Sequence, residues 1–250
     1  MASDVPPPPD QVANDAAEGP GGHTSATGPA DSETLVVDSN PELARSRLID
    51  HFKRAYQIIV GLAIAQACVK VLPHGFSGFP DLELWLFATF FVTVVPIFHG
   101  GDRSLDIKYL DRQPKRGRQK AAYVWDVYIL LITAILFVKV AQAIPGPGEP
   151  QTAQAFYVWM MVTLFFDAVI LVIDDVKTSI VNPQAKPALA SYLWWIGLNV
   201  SLAVICSFAA SLPSSSLPSS SSGVVAAIVF GCALARTIAD YWLGRSFLFP

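Results

Sequence analysis

The sequence predicts an all-α polytopic membrane protein: six transmembrane helices, both termini on the cytoplasmic side, and a disordered N-terminal tail. Three observations carry this. The 250 residues are 52% apolar and only 15% charged, too hydrophobic and too lightly charged for an ordinary soluble domain. Six long apolar runs follow one another, at 55–72, 82–98, 122–144, 153–173, 189–211 and 224–243, each near the ~20 residues that cross a ~30 Å hydrocarbon layer. In the six-span arrangement 14 of the 17 Lys and Arg residues lie on one side and none in the connections of the other.

Residues 1–40 hold seven acids, no Lys or Arg and no aromatic residue, and are rich in Pro, Gly, Ala and Ser. Such a stretch cannot bury enough apolar surface to offset the entropy of ordering, so it reads as a disordered acidic tail. It lacks the basic start and apolar core of a secretory signal, which leaves insertion to the first span. Order is expected from Asn40 and Pro41, a capping residue followed by a residue suited to the first helical position. Over 41–54, Leu43, Leu48, Ile49 and Phe52 recur at helical spacing among Arg45, Arg47, Lys53 and Arg54, a basic amphipathic juxtamembrane helix leading into a 55–250 membrane domain.

The runs are continuously apolar, without the in-and-out alternation of barrel strands, which implies helices. The first two are short, and the second is expected to end near Pro96, with His99, Gly100 and Gly101 forming a turn into a cytoplasmic loop. A re-entrant hairpin is the alternative for that pair. The one-sided basic set comprises Arg45, Arg47, Lys53 and Arg54; Arg103, Lys108, Arg112, Lys115, Arg116, Arg118 and Lys120; Lys177 and Lys186; and Arg245. By the positive-inside rule this places both termini in the cytoplasm of a multi-pass cell-membrane protein. The opposite connections, 73–81, 145–152 and 212–223, are short and rich in Gly, Pro or Ser, too small for an outer domain. No internal repeat suggests an inverted-repeat transporter.

Charges inside the spans are where chemistry is to be sought, because each costs roughly 2.5–3.5 kcal/mol at a helix centre on insertion scales. Asp126, Asp167, Arg236 and Asp240 fall toward the cytoplasmic third. Arg236 and Asp240 are one turn apart and can pair, and Asp167 shares a face with Thr163 and Asp174. Together they are candidates for an ion, proton or solute site, the alternative being an ion-pair network that locks helices together. Lys70 and Lys139 lie toward the outer ends, Lys139 about 8 Å from its helix terminus at 1.5 Å per residue, and both are expected to snorkel to headgroups. Gln66, Gln142 and Asn199 read as interhelical hydrogen bonders.

Two further features are legible. Gly223, Ala227, Gly231, Ala235 and Ala239 put small residues at every fourth position of the sixth span, a ridge that lets another backbone approach, within the chain or in a homo-oligomer. The 99–121 segment is net +4, and Lys115, Arg116, Arg118 and Lys120 are candidates for contact with anionic lipid headgroups, worth roughly 1 kcal/mol per basic residue. Nucleic-acid binding is not expected. Cys68, Cys206 and Cys232 lie in apolar runs and suggest neither disulfides nor a metal pair, and the four histidines fall in separate segments. No GxSxG, HExxH or P-loop is present, and an Asp126–Asp167 protease dyad lacks a glycine-flanked motif. The reading is therefore a small transporter or channel-like protein, without cofactor or metal, using the inner charged cluster. The alternative is a non-transporting membrane scaffold, sensor or effector acting through its tail and loops.

Overall fold

In the computed structural model the described residues are 41–72, 82–111, 119–146, 152–181, 189–212 and 219–245. They form only helices: α1 Pro41–Val71, α2 Leu82–Asp106 continued by a π-helical turn Ile107–Asp111, α3 Gln119–Gln142, α4 Gln154–Val181, α5 Leu189–Ser211 and α6 Ser219–Leu243. Each contains a stretch long and apolar enough to cross a membrane, with mean hydropathy from 1.2 in α1 to 2.3 in α4. The expected tail at 1–40 and the basic cluster Lys115, Arg116 and Arg118 lie outside the described residues, as does the side chain of Lys120.

The most extensive packing joins α4 to α5, α1 to α3 and α2 to α6. The core is built from large side chains that these pairs bury completely, among them Leu86, Phe90, Phe137, Phe156, Leu164 and Leu202. On the outside, equally apolar residues are exposed, such as Ile58, Leu62, Phe208 and Ile238. Apolar side chains inside and out are the arrangement of a bundle whose solvent is hydrocarbon. At the end where α3 and α5 begin and α4 and α6 finish, Trp125, Trp194 and Trp242 are exposed. Lys177 lies over the Trp125 ring at 5.4 Å and Arg245 over Trp242 at 5.7 Å. Amphipathic rings with cations above them suit a membrane–water boundary.

The 41–54 lead-in and the first span are one uninterrupted helix. One sequence expectation is corrected here: the second helix does not end near Pro96. It runs through His99, Gly100 and Gly101 to Asp106, so the expected turn is helical and the apolar span extends over Leu82–Tyr109. Both helices are long and apolar enough to cross a membrane. The physical reason is tertiary. Pro96 has no N–H for the carbonyl of Val92, and the Thr237 hydroxyl of α6 donates to that carbonyl at 2.6 Å instead. Farther along, Lys53 of α1 grips Asp102 at 3.1 Å and Asp106 at 2.9 Å. Gly101 lies where a Cβ would come within 2.8 Å of the Leu130 side chain, so the absence of a side chain permits the close approach to α3. Thr237→Val should orphan the Val92 carbonyl and lower stability by about 1–2 kcal/mol in detergent melts; an unchanged melting temperature would show that α2 does not need this bond.

Candidate functional site

The contacts between helices locate one end of the bundle. There the first half of α1, the second half of α2, the first half of α3, the second half of α4, the start of α5 and the end of α6 meet. Between them is a cavity of about 130 Å³, room for roughly four waters at ~30 Å³ each. Four carboxylates line it, Asp126, Asp167, Asp174 and Asp240, against two cations, Lys108 and Arg236. Tyr56, Ser104, Thr133, Trp195 and Asn199 are among its neutral polar groups, and Ile97, Leu105, Ile129, Leu130, Ile170 and Leu171 among its apolar ones.

Two polar networks organise these groups. In the deeper one, the Asn199 amide joins two helices: its Nδ2 donates to Asp167 Oδ2 at 2.6 Å, and its Oδ1 accepts from Arg236 Nη2 at 2.6 Å. Arg236 Nη1 lies 3.4 Å from Asp240 Oδ2, one turn on. This is an ion-pair distance without hydrogen-bond geometry, since Nη1 and Nε of Arg236 have no hydrogen-bond acceptor. The Trp195 indole donates to Asp240. Three helices, α4, α5 and α6, are thus tied by a line of side chains running from Asp167 to Trp195. Burial makes each link count, because a charge withdrawn from water needs a partner; the Arg236 side chain is only 6% exposed.

The second network sits toward the bundle end. Lys108, in the π-helical turn after α2, donates to Asp126 of α3 at 3.3 Å and to Asp174 of α4 at 2.5 Å. Tyr109, its neighbour, donates to Asp126 at 2.9 Å and meets the Tyr123 ring edge to face at 5.1 Å. One ammonium therefore serves two carboxylates on two helices, and the extra residue per turn of the π geometry accompanies the placing of Lys108 and Tyr109 together against Asp126.

Depth follows from the helix bounds. Asp167 stands 13 residues from Gln154 and 10 from Lys177, the ends of the α4 span, so it is about 15 Å from the nearer end. It therefore stands well inside the apolar helix, farther from the helix end than the shorter span read from the sequence implied. Asp126, by contrast, is four residues from the start of its span at Ala122.

Of the candidates named from sequence, Asp126, Asp167, Asp174, Arg236 and Asp240 all line the cavity. Thr163 is buried but not part of its lining; its hydroxyl donates to the Trp159 carbonyl one turn back, at 2.8 Å. The ridge on α6 is not the face that α6 buries: Ala226, Val229, Ala233, Arg236 and Asp240 are buried, whereas Gly231 and Ala235 are exposed. Nothing lies within 4 Å of a Cβ built on Gly223 or Gly231. Lys70 departs from the snorkelling expectation, since its Nζ donates to the carbonyls of Gln142 and Ile144 at 2.7 Å each, capping the end of α3. Lys139 is exposed, within 3.4 Å of Gln142 Oε1.

Sequence reasoning missed Lys108, assigning it to a cytoplasmic basic loop, and missed Tyr56 and Trp195. The signal for Lys108 was available: Leu105 and Tyr109 continue the helical apolar spacing past Gly101, and both are buried. No group of three or more His, Cys, Asp or Glu among the described residues is arranged to hold a metal ion. Compared with known proteins, the chain matches no family model, and neither a curated protein nor a solved structure is significantly similar to it.

Proposed function

We propose that this chain is a small membrane transporter or channel-like protein that passes a solute or ion through the charged cavity. One observation carries the reading: a cavity that draws charged side chains from four helices and reaches Asp167, about midway along its span. Charge this deep in an apolar span is costly and belongs to pathways more often than to packing. In this reading both termini face the cytoplasm of the cell membrane, Lys115, Arg116, Arg118 and Lys120 meet anionic headgroups, and the exposed ridge on α6 receives a second copy. It invokes no cofactor and no nucleic acid. The test is reconstitution of the purified chain into liposomes with an imposed ion gradient, read by trapped pH-sensitive and potential-sensitive dyes. The expected result is dissipation faster than in empty vesicles, reduced at least about tenfold by Asp167→Asn, the effect of about 1.4 kcal/mol. Flux no greater than that of empty liposomes contradicts the proposal.

A second reading, a non-transporting scaffold, sensor or effector, is favoured by a different observation. Both cations lie within ion-pairing distance of carboxylates, Lys108 across three helices and Arg236 within its own, as in a network whose purpose is to lock the bundle.

A further inference from the structure

We infer that the cavity binds a small alkylammonium-type cation, held between the Asp167 carboxylate and the Tyr56 hydroxyl. This rests on the transport reading for its purpose but on separate observations for its chemistry.

The first is charge. Four carboxylates face two cations across the lining, and the partners are unevenly shared. Lys108 is occupied by Asp126 and Asp174, and Arg236 by Asp240. Asp167 makes no ion pair among the described residues; its one hydrogen bond comes from the neutral amide of Asn199. Asp167 thus shares the field of Arg236 with Asp240 and bonds directly only to an amide, and a further cation would neutralise the acid left in excess.

The second observation is independent of the acids. Tyr56, from α1, is 1% exposed, lines the same cavity, and its hydroxyl has no hydrogen-bond partner. Buried hydroxyls without partners are rare and cost about 1–3 kcal/mol each. Tyr56 and Asp167 line the same cavity from α1 and α4. A hydroxyl oxygen and a carboxylate facing one space offer two acceptors to a single group with several N–H donors, which describes an ammonium.

Three further facts narrow the class. A divalent metal is disfavoured because the carboxylates do not converge in a group of three. A bare alkali ion would need six or so oxygens, whereas the lining also carries Ile97, Ile129 and Leu130, suited to an alkyl substituent. An anion would find donors in Arg236 Nε and Nη1, which lack hydrogen-bond partners, yet Nη1 lies 3.4 Å from Asp240 Oδ2, so the anion would sit beside a carboxylate in a space with excess negative charge. The volume admits only a few heavy atoms.

The test uses the purified full chain in detergent with methylammonium chloride as the probe. Calorimetric titration and thermal melts are run against sodium chloride, potassium chloride and sodium acetate at matched ionic strength. Saturable binding of methylammonium and a raised melting temperature are expected, with both lost in Asp167→Asn. Tyr56→Phe removes only a hydroxyl that is unpartnered without ligand, so it should fold as the parent does and bind about tenfold more weakly. It decides the matter alone if Asp167→Asn does not fold. The inference is overturned if sodium or potassium stabilises as well as methylammonium, if acetate is the stabilising ion, or if both variants bind like the parent. Methylammonium bound but not carried across liposomes would overturn the transport reading and leave the site standing. Flux of another solute without methylammonium binding would do the reverse.

Discussion

Arg236→Ala is expected to lower stability by about 3–5 kcal/mol, the usual cost of removing one partner from a buried ion pair. The side chains of Arg236 and Asp240 are 6% and 10% exposed, so the variant leaves Asp240 with the Trp195 indole alone and deprives the Asn199 carbonyl of its donor. Adding Asp240→Asn should recover much of the loss, because the acid left without a counter-charge is then removed as well. Arg236→Lys should recover less than the charge it keeps would suggest, since an ammonium cannot reach Asn199 and Asp240 in the planar arrangement of a guanidinium. Detergent melts of the three variants provide the check. A single variant as stable as the parent would mean that the pair is wet rather than buried.

Lys108→Met should cost about 2 kcal/mol, between the ~0–1 kcal/mol of an exposed pair and the 3–5 kcal/mol of a buried one. Its Nζ is the shared cation of Asp126 and Asp174, whose side chains are 14% and 17% exposed against 31% for Lys108 itself. Two carboxylates then face one space without a cation between them and repel. Replacing Asp174 by Asn in the same chain should relieve that repulsion, so the double variant is expected to be more stable than Lys108→Met. Equal stability of the two would show that Lys108 bears on Asp126 alone. The effect on flux separates the two functional readings: a lock loses stability only, whereas a vestibule with an extra net negative charge changes its ion preference as well.

How far the fold was legible follows from the same residues. Six spans could be read because the apolar runs are long and the connections short. The inner acids and Arg236 stood out because each interrupts an apolar run, and interruption is a local signal. Lys108 did not, because it follows Pro96, Gly100 and Gly101 in a polar stretch that local propensity ends early. The helix continues there through Thr237, Lys53 and the space beside Leu130, which belong to other helices. Asn199 was readable as an interhelical donor but not as the link between Asp167 and Arg236, since the two ends of an amide are assigned only when both partners are in place. Lys70 was expected to snorkel because it lies near a helix end, and it reaches instead the last carbonyls of a neighbouring helix, which no local signal marks. On α6 the ridge of small residues lies beside another face, on which Ala226 and Ala233 are buried, because that face continues into Arg236 and Asp240.

The central claim is that the charged cavity is open to water from one side of the membrane and not sealed by its own ion pairs. Gly100 lines it, and a Cβ built there meets nothing within 4 Å, so Gly100→Cys places a thiol in the cavity at little structural cost. With Cys68, Cys206 and Cys232 replaced, that single thiol should react with a membrane-impermeant cationic methanethiosulfonate in inside-out vesicles and not in intact cells. It should react more slowly with the anionic reagent of similar size. Labelling from the outer face would contradict the proposed orientation, and no labelling from either side, with the thiol reactive after denaturation, would show a closed structural lock where the account requires an open site.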